Sequence, residues 1–241
     1  MIRRNRLILG TYLMLTLLLV LLGLYLKNLK MLWILRYLVF LSLPLTALAA
    51  RGRHPGSSSL VFALLCAALG DAFIYLPLGL ERFEPNLPLG MLFFALSYTL
   101  ITAVYVKGGL SSMVSGLKVH PDLLIFPLFL ATMEFAFWGT LPLLFLLLGF
   151  FFFVALSTAF WASVRLYSRR SYPKRIRNLV LLSTTLMVLC DLIVVLGFLL
   201  PVMSARMYDI GSVIVWSAYI PAWTILAILS TDEGFHETIS W

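Results

Sequence analysis

Asp71 lies in CAALGDAFIYLPLG (residues 66–79) and Asp191 in LVLLSTTLMVLCDLIVVLGFLL (residues 179–200), each the one charged residue of a long apolar run. The chemistry open to a carboxyl group in such surroundings is proton transfer. One carboxyl can give a proton while a second accepts one or faces a developing cation. An aspartate at the centre of a membrane helix costs about 2.5–3.5 kcal/mol on insertion scales, so a chain keeps such a group only when it is paired, wetted or used. A buried pair of Arg36 with one acid would serve helix packing alone. Intramembrane ionisable groups are otherwise read as functional.

The elements that must position these groups are membrane spans. Of 241 residues, 62% are hydrophobic and 12% charged, with a mean hydropathy of +1.02, far above a water-soluble domain. Eight runs reach the roughly 20 residues a span needs: 7–26, 31–50, 58–79, 87–106, 121–139, 141–164, 176–200 and 209–230. Turn-forming or charged segments such as RGRHPGSSS, ERFEPN and RRSYPKRIR separate them. The runs are continuous rather than alternating, which excludes a β-barrel. The expectation is an all-α bundle of eight transmembrane helices forming a single transmembrane domain over 1–241. The first run is too long for a secretory signal and is read as a retained span.

Thirteen of the 18 Lys and Arg residues, from Arg3, Arg4 and Arg6 to Arg175 and Arg177, fall on one side of these spans. Lys27, Lys30, Arg82 and Arg206 fall on the other. The positive-inside rule then makes both termini cytoplasmic. The net charge of +8 therefore reports orientation, not nucleic-acid binding. RRSYPKRIR reads as a cytoplasmic anchor, with anionic lipid head groups as its other reading. The composition and short loops suit a bacterial inner (plasma) membrane, and an endoplasmic reticulum location fits the same pattern.

Depth follows from the spans. Asp71, Glu134 and Asp191 each lie well into a helix that starts at the cytoplasmic side, which puts all three roughly 20 Å across at about 1.5 Å per residue. Arg36, on a span running the other way, reaches a comparable level. Tyr98 and Ser97 on the fourth span and Tyr219 on the last lie nearer mid-depth. Ala67, Ala68 and Gly70 before Asp71 would let a neighbouring helix approach closely. Metal and serine chemistry find no support: His54, His120 and His236 fall in loops or the tail, and no G-x-S-x-G elbow is present. No cofactor is expected. Cys66 and Cys190, inside apolar runs, read as small packing residues.

ALGDAFIYLPLG, followed by LPLGMLFFALSYTLITAVYV, resembles the paired third and fourth spans of the YhhN-type lysoplasmalogenases. LLSTTLMVLCDLIVVLGFL and VIVWSAYIPAWTILAIL resemble that family's later spans. The resemblance implies a polytopic hydrolase that cleaves the vinyl ether bond of a lysophospholipid, releasing a fatty aldehyde and a glycerophospho-base. It implies that Asp71 and Asp191 are catalytic. Three departures stand out. Leu43-Pro44 occupies the place of a Lys-Pro pair, Ser97 or Tyr98 that of a histidine, and Ala222 or Trp223 that of a glutamine.

Vinyl ether hydrolysis needs a proton delivered to carbon and water added to the oxocarbenium-like cation that follows, much as in glycoside hydrolysis. Burial and like-charge proximity separate the pKa values of neighbouring carboxyls, so one pair can fill both roles. Glu134, Arg36, Ser97, Tyr98 and Tyr219 are the supporting candidates. Trp161, in STAFWAS, falls among the aromatics along which a lipid chain could lie. The expected partners are the lysophospholipid and the bilayer. The alternatives are a proton-coupled carrier, which would show inverted repeats and helices interrupted at Pro77, Pro127 or Pro221, and a catalytically lapsed lipid-binding relative.

Overall fold

Inside hydrocarbon the backbone must satisfy its own hydrogen bonds, so a long apolar run has the α-helix as its one local solution. The computed structural model describes residues 3–25, 29–50, 55–75, 87–106, 143–170, 172–199, 205–232 and 235. Among them the chain forms seven long helices and no strand: α1 (Arg3–Tyr25), α2 (Leu29–Ala50), α3 (Pro55–Tyr75), α4 (Leu87–Tyr105), α5 (Leu143–Ser168), α6 (Lys174–Leu199) and α7 (Ala205–Ser230). All seven are long and apolar enough to cross a membrane, which makes this a multi-pass integral membrane protein. Each matches one of the eight expected spans. The remaining one, 121–139, lies outside the described residues, and Glu134 with it.

Polar contacts at one end of the bundle fix the helix directions. Arg4 donates to the carbonyl of Thr231 at 3.4 Å, and the Thr231 hydroxyl donates to the Asn5 Oδ1 at 3.2 Å. Ser57 donates to the carbonyl of Ser230, and Arg175 lies 4.0 Å from Asp232. The rings of Tyr105 and Phe235 meet edge to face at 6.2 Å. The starts of α1, α3 and α6 thus gather with the ends of α4 and α7. That end also holds Arg6, Arg165, Arg169, Arg170, Lys174 and Arg177, so it is the cytoplasmic end and both described chain ends face it. A hydrogen bond from Thr184 on α6 to Ser163 on α5 brings the end of α5 there as well. Consequently α4 ends and α5 begins at opposite ends of the bundle.

The packing is centred on α7. Of its most apolar stretch 72% is buried, against 17% for α1, whose Leu17, Leu18 and Leu21 face outward, as side chains bathed by lipid can. α7 packs against α1, α2, α3 and α6, while α3 packs on α4 and α4 on α5. Pro221 lies inside α7, which nonetheless runs unbroken, and so does α2 through Pro44. The interrupted helix expected of a carrier is therefore not found at Pro221. Pro77 and Pro127 lie outside the described residues.

The small residues ahead of Asp71 do bring a neighbour close. A Cβ built on Gly70 would stand 2.8 Å from the Phe94 ring and 3.2 Å from the carbonyl oxygen of Gly90. Glycine at both positions is what lets α3 and α4 touch through their backbones. Two turns along the same seam, Ser97 donates to the carbonyl of Ala63 at 2.8 Å and closes the contact.

Candidate functional site

α3 and α6 start at the cytoplasmic end and carry the two aspartates, whereas α4 and α7 start at the outer end and carry the two tyrosines. Side chains on a helix lean toward its own N-terminus. The aspartates therefore lean inward and the tyrosines lean outward, and they meet although their Cα atoms lie at different depths. The Tyr219 hydroxyl donates to the Asp71 Oδ2 at 2.9 Å. The Tyr98 hydroxyl donates to the Asp191 Oδ2 in a short hydrogen bond. Each carboxyl is engaged by one oxygen; among the described residues no donor reaches either Oδ1.

Trp223 joins the two pairs. It sits one turn below Tyr219 on the same face of α7, so both rings point into the bundle. Its ring stacks on Tyr98 at 6.1 Å and 26°, and meets Tyr219 edge to face at 5.9 Å. Phe40 of α2 closes a third side, 4.9 Å from Tyr219 and 5.8 Å from Trp223. Phe152 of α5 packs edge-on against Tyr98 at 5.8 Å. Six of the seven helices thus contribute to one aromatic cluster with a carboxyl group on either flank. Asp71 is buried, with 3% of its surface exposed, and Asp191 is half-buried.

The other expected residues fall around this centre or away from it. Arg36 is buried, with its guanidinium 5.6 Å from the Trp33 ring and 5.7 Å from the Trp216 ring. Trp216 in turn meets Tyr219 at 5.3 Å, so Arg36 stands one ring removed from the Asp71 pair. The α1 helix leaves room for it: a Cβ on Gly23 would come within 2.9 Å of the guanidinium. Ser97 is turned to α3 and spends its hydroxyl on the helix seam. Trp161 is not brought to the cluster. It lies nine residues, about 13 Å, along α5 from Phe152 toward the cytoplasmic end, and its ring carries the Arg165 guanidinium at 5.2 Å. Residue type alone does not single out Phe40, because an aromatic in an apolar run signals packing, and Trp223 stands only as one of two residues at the place of the resembled family's glutamine. The signal that points to Trp223 is the spacing Trp216, Tyr219, Trp223, one stripe at helical period.

The model of the YhhN family matches residues 31–229, from the start of α2 almost to the end of α7, with both aspartates and all their partners inside. The chain belongs to the YhhN family. No curated protein and no solved structure showed a match. Within this YhhN-family chain, the residues at two of the departures differ in orientation. Tyr98, not Ser97, faces the carboxyl groups. Trp223 packs against both tyrosines that hold them, while the carbonyl of Ala222 accepts a hydrogen bond from Ser183 on α6 at 2.8 Å. Leu43, at the third departure, is fully buried core on α2.

Proposed function

We propose that this chain is a lysoplasmalogenase-like membrane hydrolase that cleaves the vinyl ether bond of a lysophospholipid by carboxylate acid/base catalysis. Family membership supports the class of substrate. The observation that carries the chemistry is the convergence of Asp71 and Asp191, from helices far apart in sequence, on one cluster, each steadied through Oδ2 with Oδ1 left to a reactant. In this reading one carboxyl gives its proton to the alkene carbon distal to the ether oxygen. The cation that forms faces the second carboxylate, which takes a proton from water as the water oxygen bonds to the carbon bearing the ether. The resulting hemiacetal collapses to a fatty aldehyde and the free glycerol hydroxyl. The sum is alkenyl ether plus water giving aldehyde plus alcohol, with no redox change. The lipid tail runs along apolar walls of the kind that line the bundle, and the bacterial inner membrane is the location that suits its short connections.

The test is incubation of the purified protein with a vinyl ether lysolipid and with its saturated alkyl ether counterpart. Aldehyde is expected from the first and not from the second, because an alkyl ether cannot form the cation by protonation at carbon. Aldehyde from neither rejects the hydrolase. Proton-driven flux of a lipid across liposomes, without cleavage, would assign the same acids to a carrier.

A further inference from the structure

Trp223 is fully buried, and its indole Nε1–H has no acceptor among the described residues. An indole nitrogen is a donor only, and a buried donor left unmade costs more than a made bond gains. In a core of this kind Leu or Phe fills the same space without that cost. The position of this donor gives it a use. Its ring lies within 6.1 Å of both tyrosine rings that hold the two carboxyl groups. A buried water commonly makes about three hydrogen bonds, and beyond those two tyrosines stand the carboxyl groups they hold, which are further partners for a water on this donor.

We propose that the Trp223 indole N–H holds the oxygen of the water that attacks the cation, making Trp223 a catalytic residue. The inference rests on the hydrolase reading. The N–H occupies one lone pair of the water, a carboxylate Oδ1 accepts one of its hydrogens, and the remaining lone pair bonds to the carbon next to the ether oxygen. The proton released goes to the carboxylate, and the carbon–oxygen bond to glycerol breaks when the hemiacetal collapses.

The experiment reads the step after proton transfer, where a positioned water competes with another nucleophile. Wild type and Trp223→Phe are each supplied with a vinyl ether lysolipid in aqueous methanol, and aldehyde and methyl mixed acetal are quantified by mass spectrometry. Wild type is expected to give aldehyde almost alone. Trp223→Phe is expected to raise the share of mixed acetal roughly tenfold, as a bound water becomes one solvent molecule among others. The ratio is internal to each sample, so a smaller folded fraction does not alter it. Should Trp223→Phe yield no folded protein, the benzothiophene isostere of tryptophan at position 223 keeps the shape without the N–H and must give the same shift. An unchanged ratio overturns the proposal. A raised KM with an unchanged ratio overturns it too, because the indole would then hold a hydroxyl of the lipid. Failure of the hydrolase reading is distinguishable: wild type would release no aldehyde from the vinyl ether substrate in water.

Discussion

The polar groups of this bundle sit in two places and are satisfied in two different ways. At the cytoplasmic end, Arg4, Asn5, Ser57 and Thr231 tie helix ends together, and three of the contacts they make involve a backbone carbonyl or a neutral side chain. The buried carbonyls at the end of α7 would otherwise lack partners, so these bonds finish a helix. In the outer half, the bonds run from tyrosine to aspartate between different helices, α7 to α3 and α4 to α6. No helix end needs them. Two tyrosines and two carboxyls could be replaced by apolar side chains of similar size with no backbone group left wanting. The contrast separates contacts that exist for the fold from contacts that the fold tolerates.

The largest expected effect tests that separation directly. Asp71→Asn and Asp191→Asn should each lower aldehyde release about 1,000-fold while the purified protein keeps its size-exclusion profile and helical circular dichroism. If either variant turns over near the wild-type rate, the two ends of the molecule do not differ in the way described. Next comes the helix seam: Gly70→Ala drives a methyl group into Phe94 and the Gly90 carbonyl and should cost about 1–3 kcal/mol, read as a lower unfolding midpoint in detergent. An undisturbed midpoint would mean that α3 and α4 are not in backbone contact. Tyr219→Phe and Tyr98→Phe remove one hydrogen bond each from a carboxyl that remains. Each should reduce kcat by roughly tenfold, the worth of about one hydrogen bond, with only a small drop in the unfolding midpoint. The smallest effect belongs to the other end. Ser57→Ala should cost about 1 kcal/mol in stability and leave aldehyde release unchanged. Activity lost in Ser57→Ala would tie the cytoplasmic end to the reaction and blur the comparison.

The two ends also differ in how far they could be read from residues alone. The cytoplasmic end was legible as charge: Arg3, Arg4, Arg6 and the cations of RRSYPKRIR mark it through a property of each residue type. The bonds that close it, Ser57 to Ser230 and Asn5 to Thr231, join residues more than 170 positions apart. No local pattern carries that information. The acid cluster was legible as depth, because 1.5 Å per residue converts position into height. Height alone set Tyr98 and Tyr219 below the acids. The lean of side chains toward each helix's own N-terminus closes that gap, and it depends on helix direction.

Arg36 shows the limit of height as a guide. It reaches the outer half as expected, but rotation about the α2 axis sends its guanidinium between Trp33 and Trp216. Trp161 shows the reverse: its residue type suits a lipid-lined site, and its place along α5 puts it beside Arg165, away from the acid cluster.

By itself the sequence determined the class, the spans, their orientation and the acids that had to be explained. Each of these follows from how single residues partition between hydrocarbon and water. Tertiary structure alone decided which tyrosine meets which aspartate, that Trp223 stands between them, and that Ser97 closes the α3–α4 seam. Those outcomes depend on the rotation of each helix about its axis. Without a hydrophobic force between helices in lipid, that rotation is set by close packing across many partners at once, not by any one segment.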